Sequence, residues 1–365
     1  MSSFDGLPKI IEIEPTEHCN LRCTMCHVSF MPAGPRALLD MRLLDKLSIL
    51  KECYFILGSS FEPMIHPEFA KLLDFLKEGK HRIELITNGT KLTKEILDKL
   101  NENDTAIVTV SFDGGSRETY ERIRRKAKYD EVVENVSSLC EALKKKNTLT
   151  AINYTAMQSN MKEIPEAVRL WDSMGIDQIR LISMVVRKDD EGLLKESLYP
   201  VKDDYFSILD ATAKMVISND MRITLRSPYF SSSRFRKSFS HGCSDDCLVS
   251  SNPAARRIPM NRQILQLQPG QGAGKNGDCI SPLSYARIVS SGEVLLCNNF
   301  PIGNLNDDSF EDIWFGDRAS EQRRLVKEEN GPCNSCDYYK FCLKSDKQDY
   351  DAMSFYGSSN TDLSF

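Results

Sequence analysis

The first 185 residues alternate between short apolar runs and longer amphipathic stretches, and no other feature restricts the fold as tightly. Strand-like runs lie at 10–13, 54–57, 83–86, 106–112, 149–157 and 178–182. Helical periodicity fills the intervals at 43–51, 68–78, 94–103, 132–146 and 164–174, and a sixth helix is expected over 204–218. Six strands with helices between them imply an α/β fold, in which a parallel sheet is built by right-handed crossovers. Periodicity alone leaves both an open doubly wound sheet and a partial barrel open.

A chain of 365 residues, 41% of them hydrophobic, can bury one large core and a smaller second unit. Lys and Arg total 47 against 52 Asp and Glu, for a net charge of −5, and the densest basic stretch, 122–128, reads as a solvated helix face. No nucleic-acid partner is expected from that balance. The amino end lacks a basic region followed by an apolar stretch. No run approaches the roughly 18 apolar residues of a membrane span. Neither a signal peptide nor a membrane partner is therefore expected, and the expected location is cytoplasmic.

Twelve cysteines are many for a reducing compartment, where clustered thiols point to metal or redox chemistry. Cys19, Cys23 and Cys26 follow the first strand with C-x3-C-x2-C spacing. Three thiolates leave one iron of a 4Fe–4S cluster without a protein ligand, and an open metal position is where a substrate coordinates. A zinc site using His18 or His27 is the alternative for the same residues. Cys53 and Cys140 stand alone in apolar surroundings and read as buried thiols. His66 and His241 are isolated and receive no chemical role.

The C-x3-C-x-φ-C loop, with Met25 before its third cysteine, resembles that of the radical S-adenosylmethionine (SAM) superfamily, and the resemblance extends over residues 9–185. It implies a partial (β/α)6 TIM-like barrel in which SAM binds the open iron and is cleaved reductively to a 5′-deoxyadenosyl radical. Barrel enzymes carry their active groups at the C-terminal ends of strands, and four strand ends here are similar to superfamily segments. Residues 58–67 resemble the GGEP segment, with Ser60-Phe61 in place of its paired glycines and Glu62 opposite the SAM ammonium. Thr87-Asn88-Gly89 resembles the TNG turn, and Ser111-Phe-Asp113-Gly114 the S-x-DG segment. By the same resemblance, Asn153 is a candidate for the SAM ribose, and Arg180 or Ser183 for its carboxylate. Each of these taken singly reads equally as a turn residue or cap; their agreement carries the inference.

Near the carboxyl end, Cys279-x17-Cys297 encloses Gly292 and precedes Cys333-x2-Cys336-x5-Cys342. This resembles the SPASM or twitch extension of radical SAM enzymes and implies at least one auxiliary 4Fe–4S cluster; a zinc ribbon is the alternative for the cysteine pairs in isolation. A two-cluster SPASM pattern has a further cysteine where this chain has Asp346. That departure favours one cluster on Cys279, Cys297, Cys333 and Cys336, while substitution by Cys342, or a second cluster using Cys243 and Cys247, stays open. The expected division is a barrel core at 1–190, a last helix and irregular connector at 191–278, the auxiliary domain at 279–345 and a flexible tail at 346–365.

The activity implied is hydrogen abstraction from a sugar-like or cyclitol-like small molecule, or from a peptide. The expected outcome is a two-electron oxidation aided by the auxiliary cluster, with a flavodoxin- or ferredoxin-like protein as electron donor. A redox-neutral epimerase, with Cys243, Cys247 or Cys342 returning hydrogen, is the first alternative. A non-catalytic zinc-binding protein is the second. The first strand begins by residue 10, which leans toward small molecules, and no local signature names the substrate.

Overall fold

The computed structural model describes residues 6–32, 34–144, 146–184, 191–231, 248–251, 281–296 and 300–325. Cys243, Cys247, Cys279, Cys297, Cys333, Cys336, Cys342, His241, most of the 226–278 connector and the 346–365 tail lie outside the described residues.

All six expected strands form: β1 (Ile10–Ile13), β2 (Tyr54–Leu57), β3 (Arg82–Thr87), β4 (Asp104–Ser111), β5 (Leu149–Ala156) and β6 (Gln178–Ser183). They pair in chain order and in parallel. Beyond β6 the sheet continues through parallel β7 (Thr224–Arg226) and antiparallel β8 (Leu248–Val249). On its other edge β9 (Tyr285–Ile288) lies parallel to β1, followed by antiparallel β10 (Glu293–Leu296) and β11 (Phe300–Asn304). The described strands make one eleven-stranded open sheet, so the C-terminal hairpin is laid directly onto the first barrel strand.

Helices cover the outer face. In α1 (Phe69–Glu78), Phe69, Leu72, Leu73 and Leu76 are buried, the i, i+3, i+4, i+7 spacing of one helix face. Helix α2 (Lys94–Glu102) starts where the Thr93 side chain accepts the Ile96 N–H. Helices α3 (Arg117–Ile123), α4 (Tyr129–Leu143), α5 (Ile164–Ser173) and α6 (Lys202–Ser218) complete the layer. Two details differ from the sequence expectation. The helix expected at 43–51 is a 3₁₀ segment, Met41–Leu47, whose buried Met41, Leu44 and Leu47 recur every third residue. That spacing aligns on one edge only at three residues per turn. Helix α3, at seven residues, is too short for its periodicity to stand out.

Along each strand the side chains alternate in environment. Ile11, Phe55, Leu85, Val108, Ile152 and Leu181 are fully buried on the helix side, whereas the opposite face carries Glu12, Glu14, Tyr54, Glu84, Asn153 and Arg180 in the other phase of the same two-residue period. Strands β3 and β6 are three positions apart, about 14 Å in a flat sheet, yet Glu84 Oε1 and Arg180 Nη1 lie 3.5 Å apart. The sheet therefore curls toward its polar face, giving a partial barrel with a charged lumen.

Candidate active site

The cysteine loop leaves β1 and is held from two sides. The Arg22 N–H donates to the Arg125 carbonyl at 3.1 Å, and the Thr24 N–H to the Ile123 carbonyl at 2.9 Å, fastening the loop to the end of α3. Within the loop, Arg22 Nη1 donates to the Cys19 and Leu21 carbonyls, and Ser29 Oγ donates to the Cys23 carbonyl, each at 2.7 Å. On the other side the turn after β3 reaches in: Asn88 Nδ2 donates to Asn20 Oδ1 at 2.8 Å and approaches Cys19 Sγ at 3.9 Å.

The three thiols fit an iron cluster in their electrostatics. Burial pushes Cys19 upward and Cys23 up to about 11, and the neighbouring Cys26 sulfur adds to both shifts. Such thiols ionise only beside a compensating cation, which cluster iron supplies.

Glu62 is 1% exposed and stands where the ends of β1, β2 and β3 meet. Its Oε1 accepts from Thr87 Oγ1 at 2.9 Å and from the Met64 N–H at 3.4 Å, while Oε2 accepts from the Asn88 N–H at 2.6 Å. Its own N–H donates to the His18 carbonyl at 3.1 Å, beside Cys19. Burial raises the carboxyl to about 7. The turn that delivers it needs a glycine. Gly58 has φ +72°, and a Cβ there would meet Pro63 at 2.6 Å.

Ser60, which stands in place of the first of the paired glycines, and Ser59 before it are both held by a carboxylate that no motif marks in the sequence. Glu14 Oε1 accepts from the N–H groups of Ser59 (2.9 Å) and Ser60 (2.8 Å) and from Ser59 Oγ (2.8 Å). Arg287, from β9, lies 3.4 Å from Glu14 and 3.1 Å from Glu12. The available signal was a charge in every second position of an apolar strand, Glu12 and Glu14 around Ile13, and Arg287 between Ala286 and Ile288.

Ser111, Asn153 and Arg180 form one row across β4, β5 and β6. The Oδ1 of Asn153 is buried with no hydrogen-bond partner among the described residues. Arg180 is already engaged by Glu84, whose Oε2 also accepts from Tyr54 Oη at 3.0 Å, and its Nε donates to Gln178 at 3.2 Å. Ser183 falls in phase with Ile179 and Leu181, on the helix side of the sheet. His66 is structural: it contacts the Leu39 carbonyl through Nε2 at 2.9 Å and accepts the Glu68 N–H through Nδ1 at 3.1 Å. Two further residues went unnoticed in the sequence. Glu163 accepts from the Gly115 and Ser116 N–H groups at 2.8 and 3.0 Å, holding the turn after β4, and Arg124 pairs with Asp113 at 2.7 Å.

Residues 13–171 match the model of the radical SAM superfamily, and residues 279–337 match that of the SPASM iron–sulfur cluster-binding domain. The second range includes Cys279, Cys297, Cys333 and Cys336 and ends before Cys342. The chain is 25% identical to an AdoMet-dependent heme synthase of Methanosarcina barkeri over 98% of its own length and 96% of the relative's. It is 24% identical to a mycofactocin maturase of Mycolicibacterium smegmatis, over 94% and 82% of the two chains. In fold it is similar to SuiB of Streptococcus suis bound to SAM (TM-score 0.60, 15% identity, 92% of this chain and 72% of that one). A second similar structure is anSMEcpe with bound AdoMet (TM-score 0.59, 19% identity, 92% and 85%). Cys19, Cys23 and Cys26 fall within the first match, and Cys279, Cys297, Cys333 and Cys336 within the second. The chain belongs to the radical SAM superfamily, its barrel binding SAM with a 4Fe–4S cluster and its SPASM domain binding auxiliary iron–sulfur.

Proposed function

We propose that this radical SAM enzyme is an oxidoreductase that removes two electrons and two protons from a small sugar-like or cyclitol-like molecule, or from a peptide side chain. The observation that carries the reading is the node of Glu62, Thr87 and Asn88, one hydrogen-bond partner away from Cys19 at the mouth of a polar lumen. In this reading Cys19, Cys23 and Cys26 hold the first cluster, and Cys279, Cys297, Cys333 and Cys336 an auxiliary one. When bound and reduced, the first cluster supplies the electron that splits SAM into methionine and a 5′-deoxyadenosyl radical, and the auxiliary cluster accepts the electron left on the substrate.

The chain's own residues do the positioning. Glu62 receives the SAM ammonium as a charge-assisted partner, with Thr87 and Asn88 fixing its carboxylate. Ser111 and Asn153 offer hydrogen bonds to the ribose from the row they share. The deeper lumen, with Glu84, Arg180 and Tyr54, orients the substrate and keeps its reacting carbon near the SAM C5′. The domain limits given above, the flavodoxin- or ferredoxin-like donor and the cytoplasmic setting belong to the same proposal. No described helix is long and apolar enough to cross a membrane.

The test is anaerobic reconstitution followed by iron counting and incubation with SAM and dithionite. About eight irons, at four per cubane, and release of 5′-deoxyadenosine are expected. In the presence of substrate the product should be lighter by two hydrogens. Product of unchanged mass that takes up one deuterium from deuterated water would instead support the epimerase, with Cys243, Cys247 or Cys342 as hydrogen donor. Colourless, zinc-loaded protein that leaves SAM intact would remove the whole reading.

A further inference from the structure

The two backbone bonds that fasten the cysteine loop bracket one residue on each side. Arg22 bonds Arg125 and Thr24 bonds Ile123, so Cys23 lies directly opposite Arg124 across a two-bond ladder. Arg124 has left the helix as its C-cap (φ −93°, ψ 65°), its N–H still donating to the Tyr120 carbonyl at 2.8 Å. Its side chain is only 8% exposed, and an ion pair of 2.7 Å joins it to the fully buried Asp113. Asp113 is held in turn by the Thr155 N–H on its Oδ1 at 2.6 Å and by Asn160 Nδ2 on its carbonyl at 3.2 Å.

Two features of this pair go beyond holding the loop. Arg124 Nε is buried with no hydrogen-bond partner among the described residues, an unusual state for a charged donor. Arg124 is also the member of the pair that belongs to the segment laddered against Cys23, while Asp113 is anchored by Thr155 and Asn160, so the cation is the charge placed beside the cysteine loop. A guanidinium does not lose its proton in a protein, which makes this a permanent charge.

We propose that Arg124, aimed by Asp113, is a positioning residue for the SAM-binding cluster that raises its reduction potential through a fixed cation behind the Cys23 corner. The inference rests on the reading of Cys23 as a cluster ligand. Reduction adds one negative charge to the cluster, and a nearby buried cation stabilises that state in a medium where charges are weakly screened. Hydrogen bonding and burial around cluster sulfurs are established levers on such potentials.

The experiment is a redox titration of the reconstituted holoenzyme followed by electron paramagnetic resonance. The SAM-binding cluster is identified as the signal that changes when SAM is added. Arg124→Gln should shift its midpoint potential downward, and Asp113→Asn, which leaves the cation unopposed, should shift it upward. Arg124→Lys should fall between wild type and Arg124→Gln. The neutral pair Asp113→Asn/Arg124→Gln keeps the shape without leaving a lone buried charge; it should fold and show a smaller downward shift than Arg124→Gln alone. A merely structural role predicts lower iron content or melting temperature with no opposed shifts. An iron-replete double variant with the wild-type potential would overturn the proposal. If instead the wild-type protein binds no cluster at Cys19, Cys23 and Cys26, the reading beneath it fails, and iron counting of the wild type separates that case.

Discussion

Arg287 Nη2 lies 3.4 Å from Glu14 Oε1 and so ties a strand near the carboxyl end to the first strand of the barrel. The same Glu14 oxygen holds the N–H groups of Ser59 and Ser60, three and two residues before Glu62 in the same connection, so β9 supports the segment that presents the proposed SAM-ammonium partner. Strand β9, which lies within the residues matched by the SPASM model, is thus part of the scaffold of that turn. Removing the cation from a largely buried pair leaves an uncompensated carboxylate, which costs about 3 kcal/mol. Arg287→Met should lower unfolding free energy by about that amount in urea. The double variant Glu14→Gln/Arg287→Met should recover part of it.

Glu62 sets a pH dependence for SAM binding. Burial raises its carboxyl to about 7 in the folded protein, above its ordinary value, so the ionised form that pairs with an ammonium is present above that pH and lost as pH falls through it. Affinity for SAM should therefore rise about tenfold between roughly pH 6 and pH 8. Equilibrium dialysis with labelled SAM checks this, and Glu62→Gln should bind weakly with a flat profile.

Glu84 and Arg180 meet in the lumen at 3.5 Å, with the Glu84 and Arg180 side chains 3% and 18% exposed. Their place below the strand ends separates them from the Glu62 node. Glu84→Gln should leave SAM cleavage in the absence of substrate within about twofold of wild type while lowering substrate conversion tenfold or more, about 1.4 kcal/mol in transition-state stabilisation. Equal loss of both activities would return this pair to a purely structural role.

His81 limits stability in acid. It is 1% exposed, its Nδ1 accepts the Cys53 N–H at 3.2 Å, and its Nε2 has no hydrogen-bond partner among the described residues. Burial depresses the imidazole to about 4 from its ordinary 6.5. The folded state thus binds fewer protons than the unfolded one across that interval. Stability should be intact above pH 6.5 and fall by up to about 3 kcal/mol as pH drops toward 4. Urea unfolding between these limits measures the slope. His81→Phe should flatten it, at a cost of about 1–2 kcal/mol near neutrality for the unpaired Cys53 N–H.

The order of strands and helices was legible because each element buries one face, and burial leaves a period in the sequence. The cysteine loop, Glu62 and the Thr87-Asn88 turn were legible because they are local: spacing along the chain is nearly spacing in space. Ser183 went to the wrong face because a strand's phase is visible only once its neighbours are paired; it follows Ile179 and Leu181 to the helix side. Arg124 and Glu163 look in the sequence like two more charges on solvated helices, and nothing local distinguishes them from Arg122 or Glu166.

The sequence by itself determined the superfamily, the parallel α/β order and the chemistry of the first cysteine group, since each depends on residue type at short separation. The tertiary structure alone decided which charges share an environment. Arg287 stands 273 residues from Glu14, and only pairing of β9 with β1 brings it against Glu14 and Glu12. Asp113 and Arg124 become a unit because β4 and the end of α3 converge on Cys23. Ion pairing acts over a few ångströms in space, and distance along the chain does not report it.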